Sequence, residues 1–173
     1  MRTFLSIELP DEVKEEIYRI RGIAMKKGLF LGKFVEKQNL HLTLKFFGEV
    51  SDEQVEEIKQ KLGRIKFSRF KCRLGGLGFF GERIFWIELV APAIKELHDL
   101  IDNELGFEKD TRFHNHITIA RIKQIKNRIK VKNFVSEIKV EPLKFEVNEF
   151  VLKNSQLNTN GPVYSDVERF GLE

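Results

Sequence analysis

The stretch HLTL at 41–44 recurs as HITI at 116–119, and each copy sits in a run where apolar and polar residues alternate. Alternation with a period of two marks a strand with one buried face. His41 and Thr43 therefore share one face, about 7 Å apart, while Leu40, Leu42 and Leu44 take the other. His116 and Thr118 repeat the arrangement against Ile117 and Ile119. If the leucines and isoleucines pack on helices, two imidazoles and two hydroxyls are left facing away from that packing, which is how a polar cleft is built on a sheet. Threonine is a good strand residue and histidine an occasional occupant of a polar face. With only four histidines in 173 residues, chance is a poor account of two matched pairs.

The rest of the chain supplies strands and helices around these two. RTFLSIEL at 2–9 reads as a strand, and Pro10-Asp11 opens a helix whose apolar stripe runs through Val13, Ile17, Ile20 and Ile23 or Met25. NLHLTLKFF at 39–47 is the first His-bearing strand, followed by a capping-box pattern, Ser51 with Gln54, at the head of a second helix. RFKCRLGGLGFF and RIFWIELV read as two strands joined near Gly81-Glu82, and a third helix starts at Pro92. FHNHITIAR at 113–121 is the second His-bearing strand, a lysine-rich segment with a short helix follows, and KFEVNEFVLKNS and VYSDVERFG close the chain as strands. No linker or low-complexity tract divides residues 1–173, so one domain of two pseudo-symmetric α+β lobes is expected, with antiparallel sheets around a central cleft. The duplication is inferred from the paired motifs, since the halves are otherwise weakly similar.

Composition narrows the chemistry. A single cysteine, Cys72, rules out an intramolecular disulfide and a cysteine-rich zinc site. No apolar run approaches the roughly 18 residues of a membrane span, and MRTFLSIELPDEV lacks the apolar core of a signal peptide. A cytosolic location with no membrane partner is the expectation. A net charge of +4 makes a polyanionic partner admissible without requiring one.

Two histidines, each with a hydroxyl two residues along a strand, suit in-line displacement at phosphorus. That reaction needs a base beside the attacking oxygen and an acid beside the leaving oxygen, on opposite sides of the phosphate. Imidazole can play either part near neutral pH, and threonine hydroxyls can donate to the non-bridging oxygens. HLTLKFFGEV, FHNHITIAR, the opening MRTFLSIELPDEV and the ending FVLKNSQLNTNGPVYSDVERFGLE resemble the LigT branch of the 2H phosphoesterases over nearly the whole chain. These are RNA 2′,3′-cyclic phosphodiesterases once called 2′-5′ RNA ligases. The resemblance implies a bilobal α+β fold and metal-independent hydrolysis of a terminal 2′,3′-cyclic phosphate to a 2′-phosphate. It makes His41 the proton donor to the 3′ leaving oxygen, His116 the proton acceptor that activates water, and Thr43 and Thr118 the phosphate-binding groups. Asn115 departs from the pattern, because many relatives carry proline before the second histidine. The implied partner is an RNA with a 2′,3′-cyclic phosphate end, tRNA fragments among the candidates, acted on by a monomer without cofactor. Ligation of 2′-5′ ends by the reverse reaction is the alternative activity, and a non-catalytic RNA-binding module is the alternative from another class.

Several further residues stand near these motifs. Lys45 has the parity of His41 and Thr43 and is a candidate substrate contact at the cleft rim, as readily a solvated lysine. Arg121 matches the arginine that ends the family's second motif and is the other candidate substrate contact. Strict alternation nevertheless sets it on the face of Ile117 and Ile119, where it would buttress the strand. His114 shares the face of His116, but two histidines without a carboxylate or cysteine are a weak metal signal, so it reads as a solvated or supporting residue and no metal is expected. His98 lies in a helical pattern and reads as structural or exposed. LGGLGFFG at 74–81 lacks the GKS or GKT of a phosphate-binding loop and reads as strand bends or close packing. Lys123, Lys126, Arg128, Lys130 and Lys132 could track an RNA backbone but also suit a solvated face. Phe46, Phe47, Phe79, Phe80 and Trp86 could stack on bases, although core packing explains most such residues.

Overall fold

A computed structural model describes all 173 residues, Met1–Glu173. Its elements run β1 Arg2–Glu8, α1 Asp11–Lys27, β2 Phe30–Phe34, a 3₁₀ turn Lys37–Asn39, β3 His41–Glu49 and α2 Asp52–Leu62, which make up the first half. They continue as β4 Phe70–Phe80, β5 Ile84–Val90, α3 Pro92–Leu105, β6 His116–Ile125, α4 Arg128–Glu137, β7 Lys144–Val147, β8 Glu149–Asn158 and β9 Gly161–Gly171.

The helix signals in the sequence act as written. Pro10 precedes α1, Ser51 and Gln54 close a reciprocal capping box on α2, and Pro92 begins α3. Gly28 and Gly106 end α1 and α3 in the left-handed conformation, where glycine has no steric penalty. The buried stripe of α1 runs through Val13, Ile17, Ile20 and Ala24, and Met25 turns outward, because the fourth position falls at the 3.6-residue period rather than one residue later.

The strands form one curled antiparallel sheet in the order β7-β4-β5-β6-β3-β1-β8-β9, with β2 added alongside β6. Its two halves, β7-β4-β5-β6 and β3-β1-β8-β9, meet at a single paired rung, Leu42 opposite Ile117. Counted outward from that rung, β3 holds the place of β6, β1 that of β5, β8 that of β4 and β9 that of β7. The helices cover one face of the sheet, and a single cluster of 33 buried residues, among them Leu42, Leu44, Ile117 and Ile119, fills the space beneath.

Two details differ from plain alternation. KFEVNEFVLKNS is two strands, β7 and β8, because the chain turns at Asn148 and runs from one half of the sheet to the other. FLGKF at 30–34 is a strand that carries little alternating pattern, and its place depends on Gly32. A Cβ there would lie 2.3 Å from the Arg121 carbonyl oxygen, so only glycine lets β2 approach β6 this closely. Gly78, in the glycine group of β4, likewise lies under the Trp86 ring, 2.3 Å from where a Cβ would stand. No helix is long and apolar enough to cross a membrane.

Candidate active site

With β3 and β6 antiparallel and Leu42 opposite Ile117, the register sets His41 across from Thr118 and Thr43 across from His116. The rung residues turn into the core and their neighbours turn out together. A cavity of about 490 Å³ opens on that face, lined by all four motif residues, His41, Thr43, His116 and Thr118.

The two histidines are held alike. His41 Nδ1 is 2.7 Å from the Asn39 carbonyl oxygen, and His116 Nδ1 is 2.9 Å from the His114 carbonyl oxygen, in both cases the residue two positions earlier. A carbonyl only accepts, so each Nδ1 carries the hydrogen and each Nε2 is left free to give or take a proton. His41 Nε2 stands 2.9 Å from Thr43 Oγ1. Burial pushes both imidazoles below the ordinary histidine value, against the carbonyl contacts, which favour the charged form. The charged neighbours then differ. Glu8, across from His41 on β1, favours its imidazolium, although Lys153 and Lys14 oppose it. His114 and Arg121 both disfavour charge on His116.

The two cationic candidates exchange places relative to simple alternation. In β3, Thr43 pairs with Ser6 and Lys45 with the adjacent Leu5, so Leu44 is an extra residue, a β-bulge. In β6, Thr118 pairs with Trp86 and Ala120 with the adjacent Phe85, so Ile119 is the matching bulge. Each bulge inverts the parity of the residues after it. Lys45 is therefore turned to the helix side, where its ammonium meets Asp102 Oδ1 at 2.8 Å and lies over the Phe107 ring, and it does not line the cavity. Its reading as a substrate contact is corrected. Arg121, by the same inversion, joins the cavity wall rather than the face of Ile117. Phe46 takes the corresponding position on β3, with the Arg2 guanidinium 5.0 Å over its ring.

Alternation gave no signal for several other lining groups. Lys33 and Phe34 arrive on β2, Lys33 directly opposite Arg121. Tyr164 arrives on β9, edge-on to His41 with ring centroids 5.4 Å apart, and burial raises its phenol above the usual range. Asn39 donates its side-chain amide to the Pro162 carbonyl, tying the β8–β9 hairpin to the base of β3. A long-range pairing carries each of these, and only the adjacency of Asn39 to His41 is visible locally.

His114 is half-buried against Trp86 and Phe80, and its backbone rather than its ring serves His116. Asn115 donates its side-chain amide to the Ala91 carbonyl at 3.3 Å and accepts at its backbone carbonyl from the Leu89 amide, which ties the entry of β6 to β5. His98 is buried under the site. The basic residues of α4 stay at the surface.

The LigT-like phosphoesterase family model matches the chain twice in succession, over residues 7–86 and 87–164. A Methanocaldococcus jannaschii protein named RNA 2′,3′-cyclic phosphodiesterase is 35% identical, the match covering 98% of this chain and 100% of that protein. One of the same name from Thermotoga maritima is 33% identical over 95% and 91% of the two chains. Among solved structures, Escherichia coli LigT complexed with 3′-AMP superposes with a TM-score of 0.79 at 27% identity, covering 99% of this chain and 97% of that one.

Proposed function

This chain belongs to the LigT-like phosphoesterases, and from that premise we propose that it hydrolyses the 2′,3′-cyclic phosphate at an RNA end to a 2′-phosphomonoester, with His41 and His116 as the acid and base. The observation that carries this reading is the matched pinning of both Nδ1 atoms to backbone carbonyls, which leaves two Nε2 atoms in one cavity as the exchangeable positions.

In the proposed reaction, His116 Nε2 takes a proton from water as the water oxygen bonds to phosphorus. The bond from phosphorus to the 3′ oxygen breaks, and His41 Nε2–H protonates that oxygen, leaving a 3′-hydroxyl and a 2′-phosphate. Burial favours the neutral form of both rings; His114 and Arg121 add to this at the base, while at the acid Glu8 works against it and against Lys153 and Lys14. Thr43 and Thr118 donate to the non-bridging oxygens, where charge accumulates in the transition state. Arg121 stands on the same wall and adds positive charge beside them. The substrate is an RNA end, tRNA fragments among the candidates, and the working unit is the monomer, whose single chain brings both motifs to the cavity. No ring atom in this scheme needs a metal.

The test is turnover of a short RNA bearing a 2′,3′-cyclic phosphate, with the products resolved as 2′- or 3′-phosphate. A 2′-phosphate end is expected. RNA binding without turnover would overturn the reading, and joining to an added 5′-hydroxyl RNA in place of hydrolysis would replace it with ligation.

A further inference from the structure

Each bulge leaves a backbone carbonyl out of the strand ladder right after the phosphate-binding threonine. In the half of the sheet that holds β6 the Ile119 carbonyl accepts from the backbone amide of Val35, 2.8 Å away, on the chain leaving β2. The half of the sheet that holds β3 has no such strand, because the chain after α3 passes from Phe107 to Asn115 without forming one. There the Leu44 carbonyl is 2.8 Å from His98 Nδ1, contributed by α3. A side chain does the work of a missing strand. The His98 ring is 1% exposed and lies flat on Phe113, with centroids 3.9 Å apart. Its Nε2 faces Asp102 Oδ2 at 3.2 Å, and Asp102 Oδ1 holds the Lys45 ammonium at 2.8 Å. One turn of α3 thus grips the strand twice, at the carbonyl of Leu44 and at the side chain of Lys45.

We infer that His98 is a positioning residue for the cyclic phosphate chemistry. Its Nδ1–H donates to Leu44 and maintains the bulge that anchors the strand immediately after Thr43 and turns Phe46 into the cavity wall. The inference rests on the hydrolytic reading above for its kinetic readout. Without that donor, the strand loses the reason to hold an extra residue between Thr43 and Lys45. A return to plain alternation would bring Lys45 to the cavity and take Phe46 away.

Three variants test this: His98→Ala, which removes the donor, His98→Asn, whose amide nitrogen occupies the place of Nδ1, and His98→Gln, whose amide sits one carbon further out. Turnover of a short RNA ending in a 2′,3′-cyclic phosphate and the melting temperature are measured for each, and the His98→Gln crystal structure is solved. Expected is a loss of roughly 10- to 100-fold in kcat/KM for Ala and Gln, the scale of a misplaced catalytic contact, carried mainly by kcat. Asn should recover to within about threefold of wild type, whatever its melting temperature. If Ala does not fold, the comparison of Asn with Gln stands alone. Equal activity of Asn and Gln, or losses that follow melting temperature across all variants, would overturn the inference. Should wild type itself show no turnover, the hydrolytic reading falls separately, and the position of Phe46 in the Gln variant decides this one. A Phe46 ring turned out of the cavity supports it, and an unmoved ring overturns it.

Discussion

At the scale of single residues, the site was readable in the sequence wherever the relevant geometry spans two positions. His41 with Thr43 and His116 with Thr118 face the same way because a strand repeats every second residue, and nothing distant alters that. Lys45 and Arg121, only two or three positions further on, were not readable, because each lies beyond a bulge that alternation does not announce. His41→Ala and His116→Ala should each lower kcat by at least about 10²-fold, the usual scale for loss of a general acid or base, with circular dichroism and melting unchanged in form. Wild-type kcat in either variant would remove that histidine from the reaction. In the proposed reaction Thr43→Ala and Thr118→Ala would remove a hydroxyl contact to phosphate rather than a proton carrier, and should cost less. If neither changes the rate, the phosphate clamp is wrong. Protonation sets a further expectation. The proposed reaction needs one histidine charged and the other neutral, so kcat/KM should follow a bell in pH whose limbs belong to the pair. Both rings are held below the ordinary value by burial, so protonated acid is lost earlier as pH rises and the base stays neutral further down. The bell should therefore centre below the ordinary histidine pKa of about 6.5, and EDTA should leave it in place. A maximum well above neutrality, or activity that falls with EDTA and returns with Zn²⁺, would contradict the two-histidine scheme.

At the scale of elements, local signals named the helices and long-range pairing decided the strands. Ser51, Gln54, Pro92 and the glycines after α1 and α3 act within four residues, so their effect could be read directly. β2 could not be read this way. FLGKF has neither a clean period nor a run of β-branched residues, and it becomes a strand because β6 offers it an edge and Gly32 lets it approach. The consequence is functional, since β2 brings Lys33 and Phe34 to the cavity and lies beside Arg121. Gly32→Val should push β2 off β6, because its Cβ would meet the Arg121 carbonyl at 2.3 Å. A loss of stability on the order of 1–3 kcal/mol is expected, the usual range for overpacking, together with a rise in KM larger than the fall in kcat. Thermal melting and steady-state kinetics check both parts. Unchanged KM in a folded variant would mean that β2 contributes nothing to substrate binding.

At the scale of the molecule, the sheet looks divisible and the core does not. The halves share one backbone rung, yet β7 returns to one half and β8 and β9 to the other, and the buried cluster runs through both. We expect residues 1–173 to unfold as one cooperative domain, with the calorimetric enthalpy equal to the van't Hoff enthalpy. Two resolved transitions would make the lobes independent. The charge distribution is also a property of the whole. The net charge is only +4, but Arg2, Lys33 and Arg121 gather at one cavity from three different strands. None of the three joins an acidic side chain in the ion pairs of the structure, whereas Lys45, Lys59, Lys153 and Arg169 all do. On the proposed reading, cations with no acidic partner in the cavity of Thr43 and Thr118 would let an RNA end make more than one phosphate contact. Three such cations bound the counterions released, so the logarithm of kcat/KM should fall with the logarithm of salt at a slope no steeper than about −2, given about −0.7 per contact for single strands. Replacing Lys33 by Gln should make the slope shallower by about that single-contact increment, without altering the pH bell. A slope near zero in wild type would confine recognition to the cyclic phosphate itself, and one much steeper than −2 would bring the lysines of α4 onto the RNA path.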